Sequence, residues 1–398
     1  MANAPRPRRA ADAAPSGIGI VVSGGAPNLH LVSGALCAFY ESNIRFDVIG
    51  ASGAGALAGL LYVAPKTAGG QVEALRQTVN INVSDTIYQL LPLNYKAFFK
   101  QGPFAAPFWQ FGQSLPHCTL DPKQQHRDTL ARLYNDTIDF VIAALTPTTL
   151  NYYSKSVCTR VEVIDDWIDW EALQTYDKEF YVNAFDLNRQ QLRLFGKKEL
   201  TPEAFWAALA MPWLFEPTAA NGDLHTEGAS HDPSGLEALL EGAGPTTDTL
   251  DKIIALDTVG PDLWTNPTNI YDALQLAIMD PIVSLAETVL ATYGRLEYSV
   301  NQPGSGQRLP KLYNLPFQVP DWEKPHILEW NYSNALTLWN AGYNSAKEFV
   351  TVLNDPHKLE KYRYFDRKKE TPRTAQFLQM FDKILDAAVN LPPENPAS

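Results

Sequence analysis

The stretch "FDVIGASGAGALAGLLYVAPK", residues 46–66, predicts a strand, a sharp turn and a helix in immediate succession. "FDVI" is an apolar run typical of a short buried strand, and alanines and leucines then recur at helical spacing until Pro65 ends the helix. Ser52 stands on the turn, and every residue from Gly50 to Gly55 around it is glycine or alanine. The pattern therefore predicts one hydroxyl on a turn that has been cleared of bulky side chains.

Two interpretations of Ser52 are open from this stretch alone. In the first, Ser52 is the nucleophile of a hydrolase, because a serine on a strand-to-helix turn projects its hydroxyl out of the sheet. Such a turn needs small residues two before and two after the serine; Gly50 and Ala54 meet that condition, although the usual pattern has glycine at both places. The start of the following helix would also favour developing negative charge. In the second interpretation, the segment is a tight packing turn and Ser52 caps the helix.

A second glycine-rich turn ends the first predicted strand, "GIGIVVSGG". Two strand-loop-helix units within the first 65 residues imply a parallel sheet covered by helices. The backbone amides of Gly24, Gly25 and Ala26 are the candidate oxyanion hole, since Pro27 has no amide hydrogen. A phosphate-binding turn is the alternative, but the segment has neither a G-x-G-x-x-G pattern nor the lysine of a P-loop.

Composition and charge exclude several classes of function. The chain has 398 residues and a net charge of −12, which argues against nucleic acid as the main partner and gives no attraction to anionic membranes. No run approaches the roughly 18 uninterrupted apolar residues of a membrane span. Residues 1–16 lack the apolar segment of a secretory signal, and we expect a flexible tail there. Three cysteines without metal-ligand spacing favour free thiols and a cytoplasmic location.

A third stretch, "FWAALAMPWLFEPTAANGDLHTEGASHDPSGLEALLEG", occupies residues 205–242. With it, four features occur in one order: the glycine loop Ser23–Ala26, the serine turn Gly50–Gly55, "AFDLN" at 184–188, and this stretch. In that order they resemble the patatin-like phospholipase family, over residues 17 to about 260. The resemblance implies an α/β fold, a three-layer α/β/α sandwich with a mostly parallel sheet. It also implies cleavage of acyl esters of lipids, of phospholipase A or lysophospholipase type, by a serine–carboxylate dyad without a catalytic histidine.

Three departures from the family pattern fall on residues to which the resemblance assigns chemistry. Ala26 replaces the third glycine of the first loop, and Asn28 replaces the basic residue expected soon after it. Ala54 replaces a glycine of the serine turn. The dyad aspartate is replaced by Glu227 in "TEGA", which keeps the carboxylate but adds a methylene. By the resemblance, Ser52 is the nucleophile, Glu227 is the general base, and the three amides named above form the oxyanion hole.

A histidine is the alternative base, and the sequence has seven: His30, His117, His126, His225, His231, His326 and His357. His231 and Asp232 follow Glu227 by four and five residues and reach the turn only if the loop folds back. His225 precedes Glu227 by two residues, so in a strand the two share a face. An α/β-hydrolase usually carries its serine after several more strands and its histidine near the C-terminus. We therefore expect structural or surface roles for the histidines.

Residues 80–150 lose the alternation of strands and helices and contain the aromatic stretch "YKAFFKQGPFAAPFWQFGQSLP", residues 95–116. We expect its aromatic side chains in the core or in the wall of an acyl-chain pocket, because ligand sites are mostly apolar. These side chains are Phe98, Phe99, Phe104, Phe108, Trp109 and Phe111. An exposed patch that makes peripheral membrane contact is the alternative. Beyond the core of residues 17–260, residues 261–398 predict a mostly helical extension that packs on it.

Two classes of function remain after these arguments. In the first, the protein is a serine acyl hydrolase of lipids that needs no metal or cofactor. In the second, it is a catalytically attenuated or inactive relative that keeps the cleft to bind a lipid or a partner protein. The replacement of the dyad aspartate by Glu227 is the feature on which the choice depends.

Overall fold

In the described part of the chain, an eight-stranded sheet lies at the centre of the computed structural model, with helices packed on both of its faces. The residues that the structure describes are 16–25, 28–67, 69–98, 105–120, 129–148, 150–160, 162–242, 249–256, 267, 270–301 and 308–365. Residues 1–15 of the predicted tail 1–16, Ala26 of the glycine loop and residues 366–398 lie outside them.

The sheet is mostly parallel. Its strands are β1 Gly17–Val22, β2 Val48–Ala51, β3 Glu179–Asp186, β4 Gln191–Gly196, β5 Thr218–Ala220, β6 Asp223–Glu227, β7 Leu250–Leu256 and β8 Lys311–Asn314. They lie in the order β5-β6-β3-β2-β1-β7-β8, and β4 pairs with β3. Strands β3, β2, β1, β7 and β8 are parallel to one another, whereas β4 and β6 run antiparallel to β3, and β5 antiparallel to β6.

Two apolar layers cover the sheet, because successive strand residues point to opposite faces. In β1, Ile20 and Val22 pack into one cluster and Val21 into the other. The first cluster contains side chains of α1 Leu29–Glu41, α2 Gly55–Val63, α3 Gly70–Gln77, α8 Pro202–Leu209 and α10 Tyr332–Val352. The second contains Leu236, Ala238 and Leu239, together with Leu290 and Tyr293 of α9 Ile270–Val300. The three-layer α/β/α sandwich predicted from the sequence is confirmed.

The C-terminal region adds helices and also one strand. Helix α10 packs along α1, where the rings of Phe39 and Phe349 meet edge to face at 6.3 Å. Strand β8 extends the sheet beyond β7 in parallel register, with Lys252 beside Lys311. The helical character predicted for this region is therefore present, but the sequence analysis did not identify β8. The remaining short helix, α11 Pro356–Leu359, follows α10.

One helix of the described chain is long and apolar enough, by length and composition alone, to cross a membrane. It is the segment Leu276–Val300 of α9. This segment contains charged residues and is therefore not an uninterrupted apolar run. Core helices of soluble proteins pass the same test, and Val283, Ala286 and Leu290 of this helix are fully buried.

The described part of the insertion predicted at 80–150 contains the helices α4 Asp85–Leu90, α5 Ala105–Ser114 and α6 Thr129–Leu145; the short α7 Trp170–Thr175 follows it. The aromatic side chains do not share one environment. Phe98 is partly buried and packs edge to face on Trp330 at 5.0 Å. Phe108 and Phe111 are instead 36% and 59% exposed, against the expectation of a buried position. Phe99 and Phe104 lie outside the described residues.

Candidate active site

The end of β2 places Ser52 at the carboxyl edge of the sheet, directly beside the end of β1. The Ser52 amide donates a hydrogen bond to the carbonyl oxygen of Val22, the last residue of β1, at 3.1 Å. The Gly55 amide donates to the Ser52 carbonyl at 3.0 Å and starts α2 within three residues of the strand. This is the strand-turn-helix geometry that the sequence predicted, and in it Ser52 is fully buried.

The glycine that the turn requires is Gly53. Its φ of 49° lies in the left-handed region, and a Cβ at this position would overlap Oε1 of Glu227. Ala54, by contrast, has helical backbone angles of −60° and −23°, which any residue adopts. The departure from glycine at position 54 is therefore sterically neutral, because the unusual backbone falls one residue earlier.

The register of β3 brings Glu227 to the serine turn. Ala51 of β2 pairs with Val182 of β3, and Glu227 of β6 pairs with Ala184, two residues further along the same strand. Strand β6 thus pairs with the same edge of β3 as β2 does, starting just beyond the end of β2. Glu227, the last residue of β6, therefore lies next to the turn. The Glu227 carboxyl group packs against the backbone of Gly53, the residue after the nucleophile candidate.

Burial controls the charge of Glu227. The residue is only 9% exposed, and among the described residues its carboxyl group receives no hydrogen bond and faces no ion-pair partner. Removal from water raises the pKa of this carboxyl group from 4.5 to about 8, since burial disfavours the charged form. At pH 7 the neutral form of Glu227 therefore predominates.

The Ser52 hydroxyl donates its hydrogen bond to the backbone carbonyl of Asp232 at 2.8 Å, not to Glu227. The side-chain amide of Asn183 donates to the same oxygen at 2.7 Å and fixes it in place. The Asp232 carboxylate is occupied elsewhere: it accepts hydrogen bonds from the Ser234 hydroxyl and from the amides of residues 235 and 237. Asp232 therefore holds the serine through its backbone, while its side chain shapes the following turn.

The predicted oxyanion donors are in three different situations. The Gly24 amide donates to the carbonyl oxygen of Pro233 at 3.0 Å and is engaged in this conformation. Gly25 has a φ of 123°, and its amide makes no hydrogen bond to a described residue. Ala26 lies outside the described residues. The sequence analysis missed the Gly53 amide, which follows the candidate nucleophile, the position that supplies an oxyanion donor in serine turns of this kind.

The family model described as patatin-like phospholipase matches residues 20–240, more than half of the chain. The chain belongs to the patatin-like phospholipase family. Members of this family are lipid acyl hydrolases. The match covers both glycine-rich turns, β3 and the segment that carries Glu227.

Two further comparisons add little to the family assignment. No curated protein matches this chain. Among solved structures, the chain is similar to VipD from Legionella pneumophila, at 12% identity and a TM-score of 0.31, over 94% of this chain and 77% of VipD. A likeness at that level carries no argument about the patatin-like chain described here.

The histidines nearest in sequence to Glu227 make structural contacts in this patatin-like protein. His231 stacks on Phe185, with ring centroids 3.7 Å apart, and its Nδ1 lies 2.9 Å from the Ser230 hydroxyl. His225 Nδ1 lies 3.1 Å from the Asp223 carbonyl oxygen. No described histidine hydrogen-bonds to Ser52; His126 lies outside the described residues. The described part of the chain also contains no group of histidine, cysteine and acidic residues arranged to hold a metal ion.

The raised pKa of Glu227 predicts an alkaline rate profile. A general base must be deprotonated to accept a proton, so kcat/KM for a water-soluble ester should rise about tenfold per pH unit below pH 8 and level off above it. Initial rates between pH 5 and about pH 9.5, corrected for spontaneous hydrolysis, measure the profile. A rate that is already level at pH 6 would contradict the assignment of Glu227 as the base.

Proposed function

We propose that this protein is a serine acyl hydrolase that cleaves the acyl esters of lipids, with Ser52 as nucleophile and Glu227 as general base. The observation that carries the proposal is the position of a buried carboxyl group against Gly53, the residue that follows a serine on a strand-to-helix turn. A serine hydroxyl needs an adjacent base to become a useful nucleophile, and a carboxylate can serve directly.

The first half of the reaction forms an acyl-enzyme. The Ser52 hydroxyl first turns from the Asp232 carbonyl toward Glu227. The Glu227 carboxylate takes the hydroxyl proton as Oγ bonds to the ester carbonyl carbon, and the carbonyl oxygen becomes an oxyanion. Collapse of this intermediate breaks the ester bond, and Glu227 returns the proton to the departing alcohol. The acyl group is then held on Ser52 as an ester.

The second half repeats the same proton transfers with water. Glu227 takes a proton from a water molecule as the water oxygen bonds to the acyl carbon. The bond from the acyl carbon to the Ser52 oxygen then breaks, and Glu227 gives the proton to that oxygen. The products are a free carboxylic acid and the original serine. The amides of Gly25, Ala26 and Gly53 are the oxyanion donors in this proposal, and the Gly24 amide joins them only if it leaves the Pro233 carbonyl.

A second function has specific support. In this conformation the hydroxyl of Ser52 is held by Asp232, the serine is inaccessible, and Glu227 is mostly neutral at pH 7. These three observations favour an attenuated or inactive relative that keeps the cleft for lipid or a partner protein. The proposals differ in one property, the reactivity of Ser52.

Location and partners are part of the proposal. The described free cysteines, of which Cys37 and Cys158 are buried and Cys118 is exposed, support a reducing compartment such as the cytoplasm. The net charge of −12 argues against a nucleic acid partner.

Labelling with a fluorophosphonate separates the two functions, because this reagent modifies only an activated serine. We expect one adduct, on the peptide that contains Ser52, with a labelling rate that rises between pH 6 and about pH 8. Ser33→Ala is the matched control, since Ser33 is also fully buried but lies in the middle of α1. The hydrolase proposal fails if Ser52 stays unmodified at pH 9 while an authentic serine hydrolase reacts in the same tube.

A further inference from the structure

We propose that one face of α6 is a lipid-binding surface that holds the protein on an electrically neutral bilayer. We call it the outer α6 face, and it consists of Leu130, Tyr134, Val141 and Leu145. The inference extends the proposed function, since a hydrolase of membrane lipids has to approach the bilayer that contains them. It concerns a surface about 80 to 90 residues away in sequence from Ser52 and uses none of the catalytic groups.

The polarity of α6 is inverted relative to an ordinary surface helix. The four side chains of the outer α6 face are 80%, 45%, 46% and 63% exposed, in sequence order. At 3.6 residues per turn they fall within an arc of about 60°, together with exposed Thr137 and Ala144 beside them. None of the exposed residues of α6 is charged. A helix at a water-facing surface normally turns its polar side outward.

Two of the three charged side chains of α6 are instead committed to the interior, and the third, Asp139, is partly exposed and lies 3.4 Å from Nε2 of His117. Arg132 and Asp136 are 4% and 2% exposed. Asp136 accepts a hydrogen bond from the Ser84 amide at 2.6 Å and forms an ion pair with Lys96. Arg132 donates a hydrogen bond to the Asn80 side chain at 3.0 Å. Rotating α6 to bury its leucines would break these contacts and leave charges unpaired, so the fold itself requires the apolar side to face outward.

The outer α6 face belongs to the same edge of the sheet as the candidate nucleophile. Ser84, which α6 holds through Asp136, lies two residues after Asn82. The Asn82 side chain is 2.7 Å from Nε2 of His30, at the start of α1. Helix α1 begins at the carboxyl end of β1, where the Ser52 amide binds the Val22 carbonyl. A bilayer against α6 would therefore lie on the side of the molecule where the acyl ester has to enter.

Charge and side-chain chemistry favour a neutral bilayer as the occupant. The outer α6 face offers no cation for anionic headgroups, and the chain as a whole carries −12, which anionic lipids would repel. Tyr152 and Tyr153, a few residues beyond α6, are 95% and 88% exposed. Tyrosine is favoured where hydrocarbon meets water, because its ring is apolar and its hydroxyl is polar. Phosphatidylcholine, which is zwitterionic, matches these properties.

Sedimentation with phosphatidylcholine vesicles tests the proposal, with Ser52→Ala protein so that no lipid is cleaved. We expect binding that is insensitive to salt. The additional pair Leu130→Ser and Tyr134→Ser should lower the partition coefficient at least about tenfold, because two side chains lose their apolar burial. The matched control pair is Leu296→Ser and Tyr298→Ser, which are 53% and 44% exposed on α9. That pair lies near the amino ends of β7 and β8, on the opposite edge of the sheet, and should bind like the parent.

Three outcomes would overturn the proposal: no binding by the parent, unchanged binding by the α6 pair, or an equal loss in the α9 pair. A change from dimer to monomer in the α6 pair, without vesicle binding by the parent, would assign the face to protein association instead. If the α6 pair does not fold, Val141→Ser with Leu145→Ser replaces it, since both side chains belong to the outer α6 face and are 46% and 63% exposed. When the same pairs of substitutions are made in protein that keeps Ser52, the turnover of a short soluble ester should be unchanged. Failure of that turnover in every protein would reject the hydrolase and leave the vesicle result standing.

Discussion

Ser52→Ala should lower ester hydrolysis at least about 10³-fold and abolish fluorophosphonate labelling, because no other group can then form the acyl-enzyme. The fold should survive the change. Ser52 contributes one hydrogen bond, to the Asp232 carbonyl, and its loss costs about 1 kcal/mol of the free energy of unfolding. Steady-state kinetics on a soluble ester measure the first effect, and thermal denaturation measures the second.

The Ser33→Ala protein serves as the control for removal of a buried hydroxyl away from the turn, and its rate should match the parent. A Ser52→Ala protein that keeps more than a tenth of the parent rate would show that another residue is the nucleophile. The double variant Ser52→Ala with Glu227→Gln should be no slower than Ser52→Ala alone, since two residues that act as one unit have non-additive effects.

Glu227→Gln should lower kcat by about 10²- to 10⁴-fold, the usual contribution of a general base, with Ser52 still in place. Glutamine keeps the size and the hydrogen-bonding shape of the side chain but cannot accept the proton. The remaining rate should also lose its rise between pH 6 and about pH 8, because the group that titrates there has been removed. Rates for parent and variant across that pH range, on one soluble ester, give both results.

The same variant should become more stable than the parent as the pH rises, because only the parent loses stability. The pKa of Glu227 is 4.5 when unfolded and about 8 when folded, so the unfolded chain loses its proton first. The neutral carboxyl group makes its full contribution to the free energy of unfolding below pH 4.5. Above that pH the contribution falls by about 1.4 kcal/mol per pH unit until the pH passes the folded pKa. Glutamine has no such loss. Chemical denaturation of the parent and of Glu227→Gln should agree near pH 4.5 and diverge toward pH 8.

Glu227→Asp restores the residue that the family pattern has at this position and is the sharper test of geometry. The shorter side chain withdraws the carboxyl group from Gly53, against which it now packs. We expect at least about a tenfold loss of kcat, since a misplaced base costs much of its effect. A gain in rate would mean that the native chain is an attenuated hydrolase. If Glu227→Gln leaves hydrolysis unchanged while His231→Ala or Asp232→Asn removes it, the base is not Glu227.

Local sequence was sufficient for the fold class and for the serine turn. The first 65 residues contain two strand-loop-helix units, in which the spacing of apolar residues changes from that of a strand to that of a helix within a few residues. Each unit forms as predicted. The order of four motifs then predicted the family. These features depend on neighbours in the chain, so a single sequence contains the information for them. The sequence also marked Ala54 as a departure, but only the backbone angles show that the glycine requirement falls on Gly53.

The tertiary structure alone decided which groups meet at the serine. Glu227 reaches Gly53 because β3 pairs with β2 along its first half and with β6 along its second. The partner of the Ser52 hydroxyl is the backbone of Asp232, 180 residues away, and backbone atoms carry no signal in a sequence pattern. The inverted polarity of α6 likewise depends on Ser84, Lys96 and Asn80, which supply partners for its buried charges. Ser52 and Glu227 were thus proposed as site residues from motifs in the chain. Hydrogen-bond partners, the burial that raises the pKa of Glu227, and the direction of each helix face come instead from contacts between segments that only folding brings together.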